Sequence, residues 1–323
     1  MQAFILAGGF ATRLWPLTEK RAKPLLPLAG VPLIEYLVRD IPAGIPITVS
    51  TNAMFHDAFT AWKETLNRRD ISILIEETRS DDEKLGALGA TAQWIDHHDI
   101  NEDVLLLTGD NYCGFSMKQF LDARTPGETL IAVHDIKDLE KAKAFGTVIT
   151  PSLAPTSNAP LPITSFEEKP VHPKTSLVST GCAVLPASVL PIVIEYAAIK
   201  PDNVGGIFEE LLARGLPVHA FTFSEPWFDV GSFEAYLEAT RSLVGERFIE
   251  EESAEIEQTS CEGSVVVGKR SSVKRSVLKD TVLFEDCVVE NCTLRNCILD
   301  KGCVLKGVDL NGKMLREKTR LAL

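Results

Sequence analysis

The 323-residue sequence predicts an α/β fold built on a mostly parallel sheet, followed by a short parallel β-helix. Three observations lead there. Short apolar runs alternate with longer amphipathic stretches through the first two-thirds of the chain, an acidic stretch follows, and aliphatic residues then recur at six-residue steps. Apolar runs separated by helical patterns mark a sheet covered by helices on both faces. A six-residue period marks the β-helix, in which each hexad forms one face of a triangular coil.

In chain order, the strand-like runs are 4–7, 47–50, 71–75, 104–107 and 130–133, with helical patterns over 32–41, 54–68, 87–98 and 116–124. The Pro- and Ser-rich segment 151–162 reads as a loop between strands, because strand patterning resumes at Ile163. A second helix-and-strand set covers 186–245 and ends in the helical pattern Ser232–Leu243. The acidic run from Glu246 to Glu257 reads as a solvated linker, which places the domains at 1–245, 246–262 (linker) and 263–323. In the last of these, Val267 and Val273, then Val282, Val288 and Leu294, then Ile298, Val304 and Leu310 keep the six-residue step, with register slips between the groups. That stretch suffices for about two to three coils.

Composition narrows the function. The chain carries 45 acidic and 33 basic residues, a net charge of −12, which disfavours a nucleic-acid surface. It leaves room for small phosphorylated ligands, which need only a few local cations. No apolar stretch is long enough to cross a bilayer, and no basic region opens the chain, so neither a membrane span nor a signal peptide is expected. Seven cysteines without an export signal are expected to be reduced thiols in the cytoplasm.

In a parallel α/β sheet, ligands bind outside the carboxyl ends of the strands. Two segments occupy such ends, Gly8-Gly9 after the first strand and Thr108-Gly109-Asp110 after the fourth. Paired glycines let the backbone approach a ligand and turn N–H groups toward it, although glycines alone would equally serve a tight strand-to-helix turn. Thr12 and Arg13 add a hydroxyl and a planar guanidinium, and Lys23 adds a point charge beside Pro24. These cations move the balance toward phosphate binding. The stretch is neither G-x-G-x-x-G nor a Walker loop.

The run Leu-Ala-Gly-Gly-Phe-Ala-Thr-Arg-Leu-Trp-Pro-Leu-Thr (6–18), followed by Lys-Pro-Leu-Leu-Pro (23–27), resembles the signature of the sugar-1-phosphate nucleotidyltransferases, or NDP-sugar pyrophosphorylases. Ala11 stands where that family commonly has glycine, and is expected to be tolerated unless the position needs a positive φ. The resemblance continues through Leu85–Ala90, with Ala87 replacing a threonine, then Thr108-Gly109-Asp110-Asn111, Phe145-Gly146-Thr147-Val148, Phe166-Glu167-Glu168-Lys169-Pro170, Gly181 and Trp227-Phe228-Asp229-Val230-Gly231.

It implies a Rossmann-like, GT-A-like catalytic domain and, as in many members, a short left-handed β-helix. It also implies residue roles. Leu6, Ala7, Gly8, Gly9, Thr12, Arg13, Gly86 and Gly89 would contact the nucleotide, and Gly146, Glu168, Lys169 and Gly181 the sugar phosphate. Asp110 and Asp229 would hold Mg²⁺, with Arg13, Lys23 and Asp110 catalytic. The implied substrates are a nucleoside triphosphate and a hexose 1-phosphate such as that of mannose or glucose. The alternative is a catalytically silent homologue that senses a sugar nucleotide. Such a copy would be expected to have lost some of Arg13, Lys23, Asp110, Lys169 and Asp229, and all five are present.

Taken singly, Asp229 could be a helix cap, Asp110-Asn111 an Asx turn and Glu167-Glu168 a solvated edge. His97-His98 is expected to be a helix-end cap. Trp15, Trp62 and Trp94 are expected to be core or interface aromatics. Cys287, Cys292, Cys297 and Cys303 are expected to be buried thiols in successive turns rather than metal ligands, because no Cys-x-x-Cys pair or histidine accompanies them. The missing histidine also argues against acyl transfer by the β-helix. Its open end must be capped or paired, so a homo-oligomer is expected.

Overall fold

A computed structural model describes residues 1–9, 11–76, 85–151 and 160–323. The chain divides into two compact units: Met1–Gly9 with Leu37–Trp227, and Phe10–Tyr36 with Phe228–Leu323.

The first unit is built on a ten-stranded sheet. Its strands in chain order are β1 (Gln2–Leu6), β2 (Ile47–Asn52), β3 (Ile71–Glu76), β4 (Val104–Thr108), β5 (Thr129–Asp135), β6 (Gly146–Ile149), β7 (Leu161–Pro162), β8 (Ser165–Glu168), β9 (Leu177–Leu185) and β10 (Val218–Phe223). The order across the sheet is β7-β10-β5-β9-β4-β1-β2-β3, with β6 joining β8 to β9. β1 runs parallel to both β4 and β2, and β2 parallel to β3. β9 is antiparallel to β4 and β5, and its register against β5 shifts between Ser179 and Ala183.

The central strands are apolar without alternation because helices shield both faces. Val104, Leu105, Leu106 and Leu107 of β4 are all buried. Helix Ala87–His97 lays Trp94 on Phe4 of β1, ring centroids 4.5 Å apart. His98 closes that helix, its ring nitrogen 3.2 Å from the carbonyl of Trp94, which fits a cap. Residues 152–159, most of the expected loop, lie outside the described residues. No described helix is long and apolar enough to cross a membrane.

In the second unit, helix Phe233–Val244 precedes a β-helix of short parallel strands stacked as three sheets. Four complete coils run from Phe248 to Asn311, and strands Met314–Leu315 and Arg320–Ala322 begin a fifth. Residues 246–262, expected as a linker, are the first coil: Phe248–Glu250, Glu255–Glu257 and Ser260–Glu262 pair in register with the strands of the next turn. Each of these strands turns one residue inward (Ile249, Ile256 or Cys261) beside at least one glutamate, so the pattern is masked by charge. The count of coils was low for the same reason. Val288 and Val304, which keep the six-residue step, flank the inward positions, and Val289 and Leu305 fill the core. Cys287, Cys292, Cys297 and Cys303 are buried in it, as a packed set of thiols. Trp62 and Trp94 are buried, whereas Trp15 is 58% exposed beneath the Arg316 guanidinium, 5.6 Å from the ring centroid.

Candidate active site

At the carboxyl edge of the sheet, β1 ends in Leu6 and Ala7 and delivers Gly8 and Gly9. Ala7 N–H donates to the Ser50 carbonyl at 2.8 Å, and Gly109 N–H donates to the Leu6 carbonyl at 2.8 Å. The two glycines do different things. A Cβ on Gly8 would lie 2.8 Å from Oε1 of Glu76, whereas one on Gly9 would meet nothing within 4 Å among the described residues. Gly8 is therefore small to fit the protein beneath it, and Gly9 leaves space above. Asn52 Nδ2 fixes the Gly8 carbonyl at 2.9 Å. The Ser50 hydroxyl donates to Glu76 Oε1 at 2.5 Å, but burial outweighs that bond and raises the Glu76 carboxyl above its ordinary range. Glu76, Ser50 and Asn52 were not found from sequence. The available signal was their position at the carboxyl ends of β3 and β2, beside the strand that carries the glycines.

Asp110 follows β4, the immediate neighbour of β1. The Asn111 side-chain amide donates to Thr108 Oγ1 at 2.7 Å and to Asp110 Oδ1 at 2.9 Å. Asn111 Oδ1 is buried and accepts nothing among the described residues. The turn is thus real, and its amide holds the carboxylate. Gly181, at φ +74°, lies where β9 breaks register, and a side chain on it would collide with the Thr108 hydroxyl.

Gly86 (φ +80°) opens helix Ala87–His97 against the backbone of Pro201, and Gly89 N–H donates to the Pro201 carbonyl at 2.9 Å. Gly86 and Gly89 thus permit close backbone packing here.

Glu168, at the end of β8, is enclosed by glycines. A Cβ on Gly146 would lie 2.8 Å from its Oε2, and one on Gly205 would overlap that same oxygen. Glu209 accepts the Glu168 N–H at 2.7 Å. Burial raises the Glu168 carboxyl, Lys169 opposes the shift and Glu209 adds to it. Glu167 differs, being paired with Lys174 at 2.5 Å on the exposed side. Lys169 takes φ +46° directly before Pro170, with its ammonium 3.7 Å from Glu168 Oε1 and mostly exposed. Gly205 and Glu209 also escaped the sequence reading, since nothing near them carried a recognisable pattern.

In the second unit, Thr12 and Arg13 lie in the single 3₁₀ turn Thr12–Leu14. Ala11 precedes it at φ 47° and ψ 48°, in the left-handed region. The condition under which alanine was expected to be tolerated therefore fails: this position does take positive φ, and Cβ adds strain there. Lys23 is 6% exposed in the turn Lys23–Leu25 and places Nζ 3.1 Å from Asp229 Oδ1. A Cβ on Gly231 would lie 3.2 Å from Asp229 Oδ1 and 3.3 Å from Arg13 Nη2, so Arg13, Lys23 and Asp229 form one cluster. Asp229 is not the helix cap. Ser232 Oγ accepts the Ala235 N–H at 3.1 Å and does that instead.

In the first unit the oxygen donors available to a metal are the Asp110 carboxylate and the orphaned Asn111 Oδ1 next to it; in the second, the Asp229 carboxylate holds Lys23. Oxygen-only donors with few protein ligands suit Mg²⁺, whose remaining positions go to waters and phosphates. Among the described residues no group of three or more His, Cys, Asp and Glu gathers as a cage.

Residues 2–245 match the nucleotidyl transferase family. The chain belongs to that family. It is 29% identical over 271 residues to a glucose-1-phosphate adenylyltransferase of Clostridium perfringens, covering 75% of this chain and 65% of the relative. It is 26% identical over 246 residues to a mannose-1-phosphate guanylyltransferase of Mycobacterium tuberculosis, covering 76% and 65%. The chain thus spans about two thirds of the length of these relatives. A crystal structure of a Bacillus anthracis protein assigned as a glucose-1-phosphate thymidylyltransferase superposes with a TM-score of 0.60 at 22% identity, over 74% of this chain and 93% of that one. At that identity the likeness concerns the fold.

Proposed function

We propose that the protein transfers a nucleotidyl group from a nucleoside triphosphate to a hexose 1-phosphate, giving an NDP-sugar and pyrophosphate. One observation carries this: the Gly9 backbone after β1, open among the described residues, lies next to β4, which leads into Asp110, at the edge where parallel α/β sheets bind ligands. The Arg13–Lys23–Asp229 cluster and the names of the relatives support it.

In the reaction, an oxygen of the sugar phosphate forms a bond to the α-phosphorus, and the bond from that phosphorus to the bridging oxygen of pyrophosphate breaks. Both partners are anions, so the protein's task is positioning and charge neutralisation, and no protein nucleophile is needed. Backbone N–H groups at Gly8 and Gly9 cradle the triphosphate. Arg13 stabilises the leaving pyrophosphate, and Lys23 bears on charge developing at the α-phosphate. Glu168 receives sugar hydroxyls, and Lys169 positions the attacking phosphate. The carboxylates of Asp110 and of Asp229 are each proposed as Mg²⁺ ligands, and the metal would supply charge withdrawal from the phosphates.

Glucose with adenine and mannose with guanine are both offered by the relatives' names, and we take the substrate to be one of these pairings. The assembly is proposed to be homo-oligomeric. The deciding experiment is pyrophosphate release across a matrix of triphosphates and hexose 1-phosphates with Mg²⁺. Release with one pairing identifies the substrates. Silence with every pairing, together with tight binding of an NDP-sugar, would establish the regulatory alternative.

A further inference from the structure

Strand β8 lies at an edge of the sheet, where it pairs with β6 alone among the described residues. The register sets Glu168 opposite Gly146, and Lys169 N–H donates to the Phe145 carbonyl at 3.1 Å. In an antiparallel pair the N–H groups alternate between the two edges of a strand, so the Glu168 N–H points away from β6. Left alone, it would be an open donor on a bare strand edge, beside the carboxylate assigned to the hexose. Glu209 closes it. Its Oε1 accepts the Glu168 N–H at 2.7 Å from 41 residues away in the chain.

The helix that carries Glu209, Gly206–Ala213, is itself held against β8. Asn203 Oδ1 accepts the Gly206 N–H at 2.9 Å, and Asn203 Nδ2 donates to the Tyr196 hydroxyl at 3.3 Å, which fixes the first turn. The Phe208 ring packs on Phe166 of β8, centroids 5.3 Å apart, and Ile207 and Leu211 are fully buried. Segment 203–209 therefore bounds Glu168 twice: Glu209 holds its backbone, and Gly205 lies so close to Oε2 that any side chain there would overlap it. Electrostatics alone would not choose a carboxylate for this place. Burial already raises the Glu168 carboxyl, Lys169 opposes the shift, and the Glu209 charge raises it further. The contact stands against that repulsion, which singles out its geometry. Glu210, next along the helix, pairs instead with Arg214 Nε at 2.7 Å.

We propose that Glu209 is a positioning residue for the hexose: by holding the Glu168 amide it fixes the end of β8, and with it the place where the Glu168 carboxylate receives sugar hydroxyls and where Lys169 begins. This rests on the reading of Glu168 as the sugar acceptor and deepens it, because hexose binding then depends on a side chain that does not touch the hexose. The effect is selective. Gly8 and Gly9 follow β1, which pairs with β4 and β2 and not with β8, so binding of the triphosphate is left alone.

Titration calorimetry on the full chain, with ADP-glucose and GDP-mannose as probes of the hexose and ATP and GTP as probes of the nucleotide alone, tests this beside steady-state kinetics. Glu209→Ala should weaken NDP-sugar binding, and raise KM for the hexose 1-phosphate, by about tenfold. Its affinity for the triphosphate should stay within about twofold of the wild type. Glu209→Gln keeps an oxygen that accepts the N–H and drops the charge, so it should bind the NDP-sugar as well as the wild type or better. Glu210→Ala should bind as the wild type does. In a Glu168→Ala background, Glu209→Ala should add less than about twofold, because it acts through Glu168. Equal weakening of NDP-sugar and triphosphate in Glu209→Ala, or no weakening, would overturn the proposal. So would a glutamine that fails to restore binding, a further tenfold loss in the Glu168→Ala background, or a Glu209→Ala chain that cannot fold where Glu209→Gln and Glu210→Ala do. A wild type that binds an NDP-sugar yet releases no pyrophosphate fails the proposed reaction and leaves this comparison to be read from binding. One that binds neither NDP-sugar overturns both.

Discussion

At the corners of the β-helix, Arg270, Arg275, Asp280, Asp286, Asn291 and Asn296 take φ between 46° and 62°, in the left-handed region that side chains avoid. Each is bonded into the coil beneath: Arg270 N–H donates to the Glu252 carbonyl at 3.1 Å, Asn291 to Lys274 at 3.0 Å and Asn296 to Lys279 at 2.9 Å. The strain recurs with the coils and is offset at each by the same ladder bond. Ala11 (φ 47°) and Lys169 (φ 46°) share that backbone conformation but stand alone, one before Thr12-Arg13 and the other at the Glu168 cradle. The difference teaches that a left-handed residue is informative only against its surroundings. Repeated, it is architecture. Isolated, as at Ala11 and Lys169, it has no repeated ladder to offset it, and the strain is a local one.

Variants can break that contrast. The largest effect is expected from Asp110→Asn, which should lower turnover by about 10³-fold with melting unchanged, because it removes a charge toward the phosphates and keeps the Asn111 bond. Steady-state kinetics beside a thermal melt checks it; full turnover would remove Asp110 from the site. Lys169→Gly should cut turnover by about 10²-fold while the fold gains up to about 1 kcal/mol from relief of the positive φ. Stability lost together with activity would make Lys169 a corner like those of the β-helix.

Asp300 concerns pH. Burial pushes its carboxyl up to about 6 from an ordinary 3.8, so the folded chain binds that proton more tightly than the unfolded one. Its contribution is most favourable below about pH 4 and declines as pH rises through about 6. Asp300→Asn should therefore stabilise at pH 8 by about 1–2 kcal/mol and give no gain near pH 4, as denaturant titration at the two values would reveal. Asn291→Ala should cost about 1 kcal/mol by adding strain and deleting the 2.9 Å bond to Arg275 Nε, with turnover untouched. Ala11→Gly should be smallest, within about 0.5 kcal/mol, because relief of strain in the fold is opposed by a freer unfolded chain, and turnover should be retained.

The sheet was legible because its strands are continuous apolar runs, and Ile47–Asn52, Ile71–Glu76 and Val104–Thr108 extend only one or two residues beyond their expected ends. Glycine-paired turns at the strand ends were legible for the same reason, being sharp interruptions. What escaped was whatever depends on one residue among unlike neighbours. Ile256 lies between two glutamates, so the first coil resembled a linker. Glu76 and Glu209 act through contacts to Ser50 and to the Glu168 amide, 26 and 41 residues away, and no local pattern records such partners.

The four thiols of the β-helix give one more consequence. Cys287, Cys292, Cys297 and Cys303 are at most 3% exposed, each with Sγ within 3.3 Å of a backbone carbonyl oxygen. A maleimide cannot reach them until the coil around each one opens. Their alkylation in native buffer is thus a clock for local opening, and the order in which the four react reads out from which end the solenoid unwinds.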